Sequence, residues 1–134
     1  MSQENVEVVR LIYADWERGD FTSAGWAHPE IEYVVADGPN PGTWTGLTGL
    51  AEGARTWLSA WEEYRIDVDA FRELDGGRVL ALTHGTGRGK ASGMDAEQIR
   101  AEAADLFYLR DGKVTKFVVY FDRQHALADL GLSE

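Results

Sequence analysis

Apolar side chains return every three or four positions along the first segment of the chain, where Val6, Val9, Tyr13 and Trp16 form one stripe. That spacing predicts an amphipathic helix with Ser2 as its N-cap, Glu4 in its first turn and Gly19 as its stop. A short helical turn is expected at residues 21–26. Between Pro29 and Asp37 the period falls to two. Glu30 and Glu32 alternate with Ile31, Tyr33 and Val35, the pattern of a half-buried strand, and Asp37 continues the inward parity at its end. The run GPNPG at 38–42 then interrupts regular structure. A second helix is predicted over 48–63, capped by Thr48, where Leu50, Ala54, Trp57, Leu58 and Trp61 share a face. Gly49 and Gly53 weaken its first turns by about 1 kcal/mol each relative to Ala.

From Tyr64 onward the period reads as strand through four segments, 64–74, 78–90, 97–110 and 113–122, separated by DGG, ASGMD and DG turns. Strands joined by turns this short predict an antiparallel meander, and residues 123–131 predict a last short helix. Helices followed by a curved antiparallel sheet make an α+β fold with the helices packed on the concave face. Three helical segments leave part of that face unfilled, so an enclosed pocket is expected between helices and sheet. The 134 residues suit one domain spanning 1–134.

Residues 84–93, HGTGRGKASG, invite comparison with a phosphate-binding loop. Gly85 stands one residue too close to Gly89-Lys90, Ala91 replaces the required hydroxyl, and a strand rather than a helix follows. The better reading is a strand thinned by Gly85, Gly87 and Gly89 on one parity, which lets the sheet bend. His84, Thr86 and Arg88 then occupy the other parity and are expected to face the hollow.

Charge narrows the partners. The formal net charge of −10 repels nucleic acid and anionic lipid, which bind through clustered Lys and Arg. No apolar run approaches the roughly 20 residues a bilayer span needs, and the first residues lack a secretory pattern, so a cytoplasmic location is expected. There is no cysteine, and His28, His84 and His125 follow no metal-binding spacing. Neither a metal nor a cofactor is expected.

The order helix, short helix, strand, helix and four-strand meander carries the runs YADWERGD, AHPEIEYVV, GTWTGLTGLAEG, GRGKASG, LRDGKV and YFDRQHALADLGL. In this it resembles the nuclear-transport-factor-two-like superfamily and, within it, the SnoaL-like family, over nearly the whole chain. The resemblance implies a cone-shaped fold around a pocket. Relatives include polyketide cyclases and ketosteroid isomerase as well as domains that bind without catalysis, so fold alone leaves the reaction open. It implies a small hydrophobic ligand, cyclic or polyketide-like. Proton transfer next to a carbonyl is one outcome; ligand binding or dimerisation without chemistry is the other.

Asp105 is the first catalytic candidate. It shares its parity with Ala103, Phe107 and Leu109, so a carboxyl falls among apolar side chains, where desolvation raises its pKa. The resemblance assigns it the role of the protonated acid that ketosteroid isomerase uses to polarise a carbonyl; a structural carboxylate paired with a cation fits the same pattern. Asp37 is a candidate mobile base at the pocket mouth, or a turn residue. His84 is a candidate base or orienter if the strand register sets it opposite Asp105, and a structural histidine otherwise. The isomerase's helix-one tyrosine maps to Ile12, one residue from Tyr13, a swing of about 100° on a helix. Ligand contacts are expected from Tyr13, Trp16, Tyr33, Trp44, Trp61, Arg88, Phe107 and Val119. Leu106, Tyr108, Val118 and Tyr120 make the outer sheet face apolar, which suggests a homodimer through that face.

Overall fold

The structure, a computed structural model, describes residues 2–18, 20, 25–37, 41–59, 61–89 and 99–132, with side chains for 4–18, 20, 25–37, 41–55, 65–85 and 102–132. Helix α1 (Ser2–Glu17) is followed by β1 (Ala27–Val35), β2 (Gly42–Thr45) and α2 (Gly46–Ser59). Strands β3 (Trp61–Leu74), β4 (Arg78–Gly89), β5 (Ile99–Arg110) and β6 (Lys113–Tyr120) come next, and α3 (Arg123–Leu130) closes the described chain. The strands form one open, curved six-stranded sheet in the order β2-β1-β6-β5-β4-β3.

The meander of β3 to β6 is antiparallel, as its short turns require. At the β5–β6 turn Asp111 and Gly112 take φ of 52° and 78°, the left-handed pair that a two-residue hairpin needs and that an Asp-Gly sequence supplies. The sheet as a whole is mixed, which corrects the all-antiparallel expectation: β1 lies parallel to β6, with Tyr33 beside Phe117 and Val35 beside Val119. Strand β2 was not foreseen. Its four residues follow the Pro-Gly loop and pair with β1, Trp44 against Tyr33. Trp61, assigned to the second helix by its spacing, opens β3 instead.

Both faces of the sheet are covered. On one, α1 and α2 bury Val9, Ile12 and Leu50 against Ile31, Tyr33, Val79, Ala81, Phe107 and Phe117. Gly53 sits directly over Tyr33, where an added Cβ would lie 2.5 Å from the ring. On the other, Ala126 and Leu127 of α3 pack on Leu80, Leu82, Leu106, Val118 and Tyr120. The third helix therefore does not join the others on the concave face. Asp122 caps it by accepting from the Gln124 amide at 3.0 Å, and Gly131, with φ of 68°, ends it in a left-handed cap. Leu106, Val118 and Tyr120 are buried within a single chain, so their apolar character no longer argues for a dimer.

Candidate functional site

Strand β5 carries Asp105 between Ala81 of β4 and Val119 of β6. Those partners fix its face: Val79 and Ala81 belong to the layer under α1, as does Phe107, so the Asp105 side chain points into that layer. Helix α1 answers with Tyr13. The spacing of Val9, Tyr13 and Trp16 turns one stripe toward the sheet, and the Tyr13 hydroxyl donates a hydrogen bond to Asp105 Oδ2. Tyr13 is 2% exposed and Asp105 4%. Burial disfavours the ionised carboxylate and pushes the Asp105 pKa up to about 7, while the bond from Tyr13 pulls the other way. At neutral pH the carboxyl thus exists in comparable amounts as acid and as base, the condition for exchanging a proton efficiently.

An aromatic seam surrounds the pair. The Tyr13 ring stands edge-on to Trp16 at 4.9 Å, to Phe107 at 5.8 Å and to Phe71 at 6.0 Å between centroids. Phe107 stacks on Phe117 at 4.7 Å, Phe117 on Tyr33 at 5.3 Å, and Tyr33 leans on Trp44 at 5.4 Å. Such rings supply large apolar area with defined geometry, suited to a flat hydrophobic ligand and equally to a dry core. Among the described residues no three His, Asp or Glu side chains gather as a metal site.

Residues 9–117 match the SnoaL-like domain. The chain belongs to the SnoaL-like family. No curated protein sequence matches it. Solved structures similar to this SnoaL-like chain include an NTF2-like protein of unknown function from Burkholderia pseudomallei, with 17% identity over 93% of this chain and 95% of that one and a TM-score of 0.75. Another is TerC co-crystallised with polyporic acid, with 22% identity over 95% and 97% and a TM-score of 0.72. A third is a protein of ketosteroid isomerase-like fold from Catenulispora acidiphila in complex with trimethylamine, with 18% identity over 95% and 94% and a TM-score of 0.69. At these identities the likeness is one of fold.

The SnoaL-like chain brings some of the anticipated residues together and separates others. Tyr13, Trp16, Tyr33, Trp44, Phe107 and Val119 all belong to the layer that holds Asp105. The side chains of Trp61 and Arg88 lie outside the described residues. His84 is placed elsewhere: it pairs with Glu102, three residues from Asp105, and lies on the opposite face of the sheet. Its Nδ1 is 2.8 Å from Asp69 Oδ1, and Arg123 Nη2 reaches the other oxygen of Asp69 at 2.7 Å. The parity assigned to β4 was inverted, because the glycines share the inward side with Val79 and Ala81. Asp37 does not face Asp105 either. Its carboxylate accepts from the Phe121 amide at 2.6 Å and meets His125 Nδ1 at 2.7 Å, tying the end of β1 to α3.

Two features escaped sequence reasoning. Tyr13 is the partner of Asp105 despite the family register falling on Ile12; the stripe Val9-Tyr13-Trp16 held the signal. Phe71 covers Tyr13 because β3 carries a bulge between Val68 and Ala70 that shifts its parity, and nothing in the sequence marks that bulge.

Proposed function

We propose that this SnoaL-like domain binds a small, hydrophobic, cyclic or polyketide-like molecule bearing a carbonyl, and that the Asp105–Tyr13 pair handles a proton beside it. The observation that carries this reading is a carboxyl buried in an aromatic layer, hydrogen-bonded to one tyrosine and held near pKa 7 by its burial. Protonated Asp105 gives its proton to the carbonyl oxygen, and the carboxylate left behind takes the proton from the adjacent carbon, so the enol forms and the acid is restored. Tyr13 orients the carboxyl by donating its one O–H to Asp105 Oδ2. The aromatic seam excludes water, so these interactions act in a low dielectric. Since Tyr13 and Asp105 are closed to solvent, entry requires Trp16 and Phe71, the half-buried rings packed on Tyr13, to move aside. Co-crystallisation of TerC, a structure of similar fold, with polyporic acid supports a small-molecule ligand here.

Binding without turnover is the second reading. Asp37 and His84 are engaged elsewhere, so among the described residues no second base stands at Asp105. One experiment separates the two. A β,γ-unsaturated cyclic ketone is followed by ultraviolet absorbance for conversion to its conjugated isomer, with 2-naphthol fluorescence reporting binding. Turnover abolished in Asp105→Asn supports the enzyme; binding of 2-naphthol without turnover supports the module; neither in the wild type refutes both.

A further inference from the structure

Thr83 is 1% exposed and lies in β4 two residues beyond Ala81, the cross-strand partner of Asp105. Successive residues of β4 alternate between the two layers: Val79 and Ala81 face α1, Leu80 and Leu82 face α3. The Thr83 side chain therefore points into the Asp105 layer, against Ala103 and diagonal to Asp105. Its carbonyl oxygen is occupied, accepting from Arg123 Nη2 at 2.7 Å. Its hydroxyl has no hydrogen-bond partner among the described residues.

A buried hydroxyl without a partner has lost its hydration and gained nothing in return, whereas valine would fill the same space in a strand reading V-L-A-L at no such cost. Diagonal neighbours on one sheet face have Cβ atoms about 7 Å apart. Two hydrogen bonds of about 2.8 Å that meet at a shared oxygen set their outer oxygens about 5 Å apart, a separation that side chains rooted about 7 Å apart reach by leaning toward each other. We propose that Thr83 is a specificity-determining residue whose hydroxyl and the Asp105 carboxyl hold the same ligand oxygen, so that the site selects ketones, enols or phenols over hydrocarbons of the same shape. This rests on the carbonyl-ligand reading and sharpens it. Both states of the carboxyl are matched: a ketone oxygen accepts from protonated Asp105 and from Thr83, while an enol or phenol donates to ionised Asp105 and accepts from Thr83.

The test uses the full chain with Thr83→Val, which removes the hydroxyl and nearly keeps the shape, and Thr83→Ser, which retains it. Each is titrated by fluorescence with 2-naphthol and with naphthalene, and unfolded in urea without ligand. The expected result is 2-naphthol affinity about tenfold weaker in Thr83→Val and restored to within about threefold in Thr83→Ser. Naphthalene affinity should be unchanged and the unliganded Thr83→Val at least as stable as wild type. Unchanged 2-naphthol binding in Thr83→Val, with binding still lost in Asp105→Asn, overturns this inference alone. A Thr83→Val protein that is less stable without ligand, or does not fold, also overturns it, because the hydroxyl then serves the fold. A wild type that does not bind 2-naphthol removes the carbonyl-ligand reading and this inference together.

Discussion

Replacing Asp105 with Asn deletes one titrating carboxyl while nearly preserving its volume. In the unfolded chain that carboxyl loses its proton near the ordinary value of about 3.8, and in the folded protein near about 7. Between those values the folded state holds a proton that the unfolded state has released. Stability contributed by the group is complete below the unfolded value and declines as pH rises toward the folded one, at about 1.4 kcal/mol per pH unit. Across the interval of roughly 3 units the loss amounts to about 4 kcal/mol, a large part of a small domain's stability. The asparagine protein has no such slope. With 23 acidic residues, most of the pH dependence belongs to other groups, and subtracting one protein from the other cancels it where those groups are distant. The assay is urea unfolding of both proteins from about pH 5 to about pH 8, where the Asn variant should gain about 3 kcal/mol relative to wild type. A flat difference would mean that Asp105 is not shifted. A difference of the opposite sign would mean that a cation stabilises its ionised form, and either result would refute the reasoning.

Other consequences are equally open to measurement. Tyr13→Phe removes the hydrogen bond that draws the Asp105 pKa downward, so carbon-13 NMR should show that carboxyl titrating above about 7. In Gly53→Ala the new methyl meets Tyr33 at 2.5 Å while Phe117 backs the same ring, so urea unfolding should show a loss of about 1–3 kcal/mol despite better helix propensity. Arg123→Met leaves the carbonyls of Ala103 and Thr83 without their donor and Asp69 with His84 alone, and a loss of about 2 kcal/mol is expected in the same assay; under about 1 kcal/mol would show that solvent replaces the guanidinium. The pKa of His125 is raised, chiefly by its bond to Asp37, so its contribution is present below the ordinary histidine value of about 6.5 and fades as pH rises through the folded value. His125→Gln should therefore lower stability at about pH 5.5 and change it little at about pH 8.5, and equal losses at both would contradict this.

Sequence periodicity carried α1, β1 and the meander because each obeys a single local rule: one buried stripe on a helix, one buried parity on a strand, Gly at turns needing positive φ. It missed β2, whose Gly42-Thr43-Trp44-Thr45 is too short to show a period, and the parallel pairing of β1 with β6, which joins segments about eighty residues apart and leaves no local trace. The position of Asp105 was legible because Ala103 and Phe107 flank it at even spacing. That of His84 was not. A polar residue next to a glycine reads as lining a hollow, yet His84 continues the row of Leu80 and Leu82 on the opposite face, beside Asp69.

That error has a physical cause that also separates Asp105 from Arg123, the buried acidic and the buried basic side chain among the described residues. When a sheet is covered on both faces, its strands read as nearly continuous apolar runs, here VLAL, DLFYL and FVVYF, and residue type no longer reveals parity. What remains informative is how well each buried ionisable group is compensated. Arg123, 8% exposed in the outer layer, donates to Asp69, Glu102 and the carbonyls of Thr83 and Ala103, so most of its five N–H groups are matched and its role is structural. Asp105, buried in the inner layer, receives one hydrogen bond from the described residues where an ionised carboxylate can accept about four. A group left so far short of its capacity destabilises the protein at neutral pH, and such deficits concentrate where a ligand completes the set. The contrast between a saturated arginine on one face and an unsaturated carboxyl on the other is the reason to seek the chemistry of this chain at Asp105 and nowhere along α3.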